Sequence, residues 1–179
     1  MFVINYKPLN KALKWIRYLI PNKKDLLQKL HSTFIFSKFD MKSRFWQIQI
    51  HPKDHYKIAF IVPFSPYEWN FMSFDLKNTP SEFQRIMNDI FNLYSKFCIV
   101  YIDNVLIFSN SIEQYFKHLP TLFYVAKHNG LIVSKLNISL FQIHVHFLSH
   151  NIFQGTITPI ERSLTIASKF LNKILDKTQ

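Results

Sequence analysis

Glycine is almost missing from this chain. Only Gly130 and Gly155 are present among 179 residues, against an ordinary share of roughly 7%. A domain of this length has many turns and close backbone approaches that normally call for glycine, so it has been either avoided or lost. Cysteine is scarcer still. The lone Cys98 excludes an internal disulfide and any multi-cysteine zinc site, and it fits a reducing compartment. Set in an apolar segment, it reads as inert packing. No apolar run approaches the roughly 18 residues of a membrane helix, and the N-terminus lacks a signal-peptide layout. Cytosol or nucleus is the expected location, with no membrane partner.

Negative charge is also in short supply. Eleven acidic residues face 22 Lys and Arg, for a net charge of +11. Such a surplus points to a polyanionic partner, most directly nucleic acid; a merely soluble basic surface is the other reading. What the chain does have is apolar and aromatic mass, 48% hydrophobic with 19 Phe. That excludes intrinsic disorder.

Along the chain, Asn22 before KKDLLQKL reads as the N-cap of a short helix with Leu26, Leu27 and Leu30 on one face. TFIFSKFDM reads as a strand ending at Asp40. FWQIQI alternates as a strand or bent segment, HPKDHY is turn-like, and KIAFIVPF and YEWNFMSF read as a second and third strand. Ser81 opens SEFQRIMNDIFNLY at helical spacing, punctuated by Asn78-Thr79-Pro80. FCIVYIDNVLIFS follows as strand–turn–strand. Ser111 begins a helix to about His128, stopped at Asn129-Gly130, with Pro120 inside it. LFQIHVHFL and NIFQGTITPI are strand-like, and RSLTIASKFLNKIL reads as a helix. The expected fold is α+β, with helices on one side of an antiparallel sheet.

Two aspartates, Asp40 and Asp103, end or tip apolar strands, where an ionised carboxylate is costly without a partner. A hard cation such as Mg²⁺ would supply one and leave room for substrate phosphates. Asp103-Asn104 also suits a tight hairpin turn, because Asn tolerates positive φ. On residue type alone both readings stand.

The wording of these segments adds more. FSKFDMKSRFWQIQI, KIAFIVPFSPYEWNFMSFDLKNTPSEFQRIMNDIF and YIDNVLIFS, followed in order by NGLIVSKLN and HFLSHNI, resemble the reverse transcriptases of plant pararetroviruses, especially caulimoviruses, and of gypsy-type retroelements. The resemblance runs from about Val3 to the end of the chain. It implies a right-hand polymerase fold within a single domain fragment: partial fingers over 1–33, palm with an inserted fingers segment over 34–150, and the start of the thumb or connection over 151–179. It implies metal ligation by Asp40, Asp103 and the backbone carbonyl of Met41, for two Mg²⁺ ions (or Mn²⁺). Phe45 would gate the sugar, the peptide N–H groups at Ser43 and Arg44 would cradle the triphosphate, and Phe74 and Asp75 would complete the nucleotide pocket. Gln84, Tyr101, Leu148 and Ser149 would face template and primer. The implied partners are deoxynucleoside triphosphates and an RNA or DNA template-primer, and the implied activity is RNA- and DNA-directed DNA synthesis.

Departures from that pattern point the other way. Asn104 stands where the family has a second aspartate, removing one negative charge from the site. Arg44, Ser65, Asp75 and Ser149 stand where the family tends to have glycine. The chain starts within the fingers and no ribonuclease H domain follows, so a drifted fragment of an integrated element is the expected history. Polymerase activity is expected to be lost or severely impaired. The alternatives are a non-catalytic nucleic-acid binder and a translated remnant without function. A ribonuclease-H-like nuclease would want further acidic residues at helix starts, which Glu113 alone does not supply.

Lesser signals have two readings each. His144, His146 and His150 suggest a metal cluster, but no Cys or carboxylate completes it. Lys7, Lys11, Lys14 and Arg17, with Trp15 and Tyr18 interleaved, suit either a nucleic-acid stripe or a solvated basic face. Trp46 and Trp69 read as core or hinge residues rather than base platforms.

Overall fold

The computed structural model describes residues 4–161 and residue 165. Two short helices come first, α1 (Lys7–Ala12) and α2 (Lys23–Gln28). The Asn22 side chain caps α2 by accepting from the Lys24 N–H at 3.0 Å, as its sequence suggests. Strand β1 (Ile35–Asp40) follows, and then a 3₁₀ turn at Arg44–Gln47 and another at Pro52–Ile58.

β2 (Phe60–Val62) pairs with β3 (Ser65–Tyr67) across a two-residue turn. The third strand therefore arrives earlier than the YEWNFMSF reading places it. Pro63 and Phe64 turn the chain, and proline pre-sets the φ of a first turn position. Beyond Tyr67 only an isolated bridge from Phe71 to Gln49 remains. FWQIQI likewise starts as a 3₁₀ turn rather than a strand, and HPKDHY lies within the second one.

The core is a four-stranded antiparallel sheet in the order β4–β5–β1–β6, from β4 (Cys98–Tyr101), β5 (Asn104–Ser109), β1 and β6 (Ser139–Gln142). Helices α3 (Thr79–Phe91) and α4 (Ile112–His128) cover one face. There Phe83, Met87 and Phe91 of α3 and Leu122, Val125 and Ala126 of α4 pack on Phe39, Val100, Val105 and Ile107. The opposite face is buried too. Phe36, Ile99, Leu106 and Phe108 meet Leu26, Leu27 and Leu30 from α2 and its exit turn, with Val145, Phe147 and Ile152 of a second sheet. The α+β class holds, but the helices do not all lie on one side. Double-sided burial explains why FCIVYI and VLIF are continuous apolar runs rather than alternating ones.

That second sheet is β7 (His144–Phe147), β8 (His150–Phe153) and β9 (Thr156–Pro159), all antiparallel. It runs unbroken across residue 150, where the sequence reading ends the palm. His144 and His146 do share an exposed strand face. The expected helix RSLTIASKFLNKIL falls almost wholly outside the described residues. Cys98 is buried, which pushes its thiol up to about 12, so it stays protonated at neutral pH as a packing residue. Among the described residues, no helix is long and apolar enough to cross a membrane.

Ser111 caps α4 by accepting from the Gln114 N–H, and the helix continues through Pro120 to His128. A proline in a continuous helix removes one backbone donor and crowds the preceding turn, at a cost of up to about 3 kcal/mol. Pro120→Ala is expected to stabilise the fold by about 1–3 kcal/mol, read as a raised urea midpoint with an unchanged m-value.

Candidate active site

The tip of the β4–β5 hairpin is offset by one residue from its sequence reading. Tyr101 pairs with Asn104, so the two loop residues are Ile102 and Asp103, and Asn104 opens β5. The positive φ belongs to Ile102 (+53°), not to Asn104. A positive φ at the first loop residue alone is the requirement of a type II′ turn, which normally takes glycine there. For a β-branched residue this backbone costs roughly 1–2 kcal/mol. It is held because the Ile102 side chain packs on the α3–α4 core and its N–H donates to the Gln84 Oε1 at 2.6 Å.

The offset decides what each residue faces. Asn104 lies directly across from Asp40 in the β1–β5 ladder. The Asp103 backbone carbonyl accepts from the Met41 N–H at 3.0 Å, which sets Asp103 beside the end of β1. Its carboxylate is 11% exposed and receives the Arg44 Nε at 2.7 Å. A contact this short between full charges is a charge-assisted hydrogen bond. Arg44 and Ser43 both have left-handed backbones, at φ +46° and +57°. Asp40 contrasts with Asp103: its Oδ1 is buried and has no hydrogen-bond partner among the described residues.

Asp40, Met41, Lys42, Ser43, Arg44, Phe45, Trp46 and Phe74 line a cleft of about 550 Å³, closed on its other side by Ser134 and Asn137. The cleft thus gathers Asp40, Met41, Ser43, Arg44, Phe45 and Phe74 of the expected residues, while Asp103 is not in its lining and is tied to it through Arg44 and Met41. Phe45 stands edge-on to Phe83 at 5.3 Å between ring centres, so its orientation is fixed from α3. Trp46, paired with Trp69 at 5.6 Å, is half exposed at the cleft wall and not a core residue. Asp75 is exposed beside the cleft, with its backbone carbonyl accepting from the Asn10 side chain.

The residues expected at template and primer lie in three settings. Tyr101 is half-buried, under the Lys23 ammonium at 5.4 Å. Leu148 and Ser149 are the loop of the β7–β8 hairpin, both at positive φ. Gln84 is fully buried: its Nε2 donates to the Val100 carbonyl at 3.3 Å and to Asn88 at 2.8 Å, while its Oε1 receives Ile102. Its side chain therefore holds the end of β4 and the first loop residue of the hairpin. Lys7, Lys11, Lys14 and Arg17 are exposed along a segment docked to α3, where Asn78 binds the backbone of residues 14 and 16.

Gln47 and Ser134 are site residues that the sequence did not reveal. Gln47 donates to the carbonyls of Lys42 and Ile132 and accepts from the Ile132 N–H, joining the cleft floor to the loop after α4. The Ser134 N–H donates to the Asp40 carbonyl at 2.9 Å. The Gln47–Ile132 and Ser134–Asp40 contacts join segments far apart in the chain, and no local pattern announces them.

A family model described as reverse transcriptase (RNA-dependent DNA polymerase) matches residues 1–152. The chain belongs to the reverse transcriptase family. It is 40% identical over 177 residues to the enzymatic polyprotein of Cauliflower mosaic virus (strain Strasbourg), covering 99% of this chain and 26% of that polyprotein. The corresponding polyprotein of Figwort mosaic virus (strain DxS) is 36% identical over 175 residues. The genome polyprotein of Petunia vein clearing virus (isolate Shepherd) is 40% identical over 157 residues, which are 88% of this chain and 7% of that one. The chain thus spans about a quarter or less of these curated relatives. Foamy viral protease-reverse transcriptases solved with RNA/DNA hybrid and with dsDNA share the fold, each with a TM-score of 0.80 at 22% identity. They cover 89% of this chain, which spans 22% and 33% of theirs. The four-stranded sheet with its helices is accordingly a polymerase palm, and the pararetrovirus resemblance stands.

Measured against this family's two-ion expectation, the donor set fits only in part. The orphaned Oδ1 of Asp40 suits a hard cation. Asp103 is already paired, Asn104 is neutral, and among the described residues no cluster of three or more His, Cys, Asp or Glu could hold a metal. Asp40 offers one open hard ligand, and the described residues do not fit a pair of ions.

Proposed function

We propose that this chain is the palm and adjoining fingers of a reverse transcriptase that retains its phosphate-binding cleft but has lost nucleotidyl transfer. Its ligand would be an RNA or DNA template-primer, with deoxynucleoside triphosphates and Mg²⁺ or Mn²⁺ held weakly. The carrying observation is the register pair Asp40–Asn104, which sets a neutral amide where the family's second hairpin carboxylate is expected. A unit charge at close range is worth several kcal/mol, and each ~1.36 kcal/mol of barrier is tenfold in rate. The loss is therefore about a thousandfold or more.

Nucleic-acid binding rests on other terms. The net charge is +11, and Lys42 and Arg44 line the cleft with Asp40, so phosphate need not meet net repulsion there. The foamy viral neighbours carry RNA/DNA hybrid or dsDNA on the same fold, and the same ligand class is proposed for this chain.

Primer extension with Mg²⁺ and with Mn²⁺ is expected to stay at background, matching an Asp40→Asn control. Oligonucleotide affinity is expected to fall linearly on a log–log plot against salt, since each phosphate contact releases counterions. Robust extension by the wild-type chain would overturn the loss of chemistry. A flat salt slope would overturn the phosphate-binding cleft.

A further inference from the structure

We propose that Arg44 is a tethered cation that has taken the place of a divalent ion at Asp103, a latch that is a second lesion beyond the Asn104 substitution and masks the effect of repairing it. The inference rests on the preceding reading of Asp40 and Asp103 as the ancestral metal site. Arg44 touches two of the three groups implied as ligands, Asp103 with its guanidinium and Met41 with its backbone. Its Nε reaches the Asp103 Oδ2 at 2.7 Å, and its own backbone N–H donates, at a long 3.4 Å, to the Met41 carbonyl. Of the three, Asp40 remains open, with an Oδ1 that none of the described residues satisfies.

The arrangement has the marks of a substitute cation rather than a surface ion pair. Surface pairs are solvated at both ends and contribute little. Here the Arg44 end is 63% exposed, but Asp103 is only 11% exposed and would be a buried, uncompensated carboxylate without its partner. The guanidinium is positioned by a left-handed backbone at φ +46°, a conformation arginine adopts only at a cost. Two carboxylates and one guanidinium leave the site at −2 + 1 = −1. That is too little to hold two divalent ions against their mutual repulsion. A guanidinium and a metal ion on the same carboxylate oxygen exclude each other, so metal affinity must rise when Arg44 goes.

A double-mutant cycle on Mn²⁺ binding, measured by calorimetry and by free-Mn²⁺ paramagnetic resonance on the full 179-residue chain, tests this. Arg44→Gly is expected to tighten Mn²⁺ about tenfold. Asn104→Asp alone should tighten it by less than about threefold, because Arg44 still holds Asp103, and the double variant should exceed the product of the two by about tenfold. The Mn²⁺-induced rise in Tm should follow the same order, which a merely structural arginine would not produce.

An unchanged Mn²⁺ affinity in Arg44→Gly would overturn the proposal. So would an Asn104→Asp gain that is equal with and without Arg44. Arg44→Asn, neutral and tolerant of the left-handed backbone, must reproduce the glycine result. If both Arg44 variants fail to melt cooperatively, the arginine is a structural brace and the proposal falls. Oligonucleotide binding by the same variants is the independent check on the preceding reading: a flat salt slope with the cycle intact would sink nucleic-acid binding and leave the latch standing.

Discussion

Gln84→Ala is expected to destabilise the protein by about 3 kcal/mol, a combination of a core cavity and two abandoned backbone groups. Gln84 has no exposed surface, so truncating it leaves a void that neighbours fill only in part. It also strands the Ile102 N–H and the Val100 carbonyl that the side chain satisfies. Ile102 needs that bond more than most residues do, since its positive φ is unfavourable for a β-branched side chain. The loss should be visible in urea titration and as faster hydrogen exchange at Ile102, with the β1 amides less affected.

Gln84→Glu separates the hydrogen bonds from the volume. A neutral carboxyl retains the acceptor for Ile102 and regains a donor for Val100, whereas the ionised form has no donor. Burial penalises the charged form and raises the carboxyl's folded-state pKa above its unfolded value of roughly 4.3. A raised folded pKa means that stability is fully present below the unfolded value and is lost as pH climbs through the folded one. The Glu variant should therefore approach wild type near pH 4 and fall progressively behind it toward pH 8. Equal destabilisation at both ends would mean that the side chain is not buried at the hairpin tip.

The parts of this fold that were legible are those whose physics is local. Asn22 caps the helix it was expected to cap, and the helix expected to begin at Ser111 is capped by it, because a cap needs only its own next three residues. The strands ending at Asp40 and Ser109 carry their own apolar signal. The family was legible through the order of its motifs, which the family match bears out. Within the candidate site, the Asp103 carbonyl bonds to Met41, the residue after Asp40, while Asp40 itself lies across from Asn104.

What escaped depends on partners distant in sequence or on a register of one residue. YEWNFMSF has strand composition, yet the Pro63-Phe64 turn gives the pairing to Ser65–Tyr67 before that segment begins. The hairpin tip reads as Asp103-Asn104 on residue preference. The ladder from Cys98 to Tyr101 instead leaves Ile102 and Asp103 in the loop, a strained solution that only tertiary packing and Gln84 make tolerable. Arg44 was readable as a crowding side chain or a phosphate contact, but its bond to Asp103 joins elements 59 positions apart.

Of the two remaining glycines, Gly155 is the one the fold cannot replace. Seven non-glycine residues in the described chain already hold a positive φ, among them Arg44 and Ser149 at positions where the resemblance implies glycine. Conformational strain alone has evidently been borne repeatedly. Gly155 differs in having no room. It closes the β8–β9 hairpin with Gln154 at φ +78°, and a Cβ there would run into the backbone carbonyl oxygen of His31. A side-chain neighbour would rotate away, but a carbonyl in the turn leaving α2 moves only with its backbone. Gly130 is the control: its φ is +68°, yet a Cβ at that position would meet nothing within 4 Å. Gly130→Ala is expected to cost about 1 kcal/mol, the left-handed backbone penalty. Gly155→Ala should cost about 3 kcal/mol, that penalty plus the repacking strain of an atom forced against the main chain. Urea denaturation of the two variants compares them directly. Equal losses would mean that the second sheet does not sit against the α2 turn as described, whereas a gap of about 2 kcal/mol identifies Gly155 as the point where further loss of glycine would unseat that sheet from the palm.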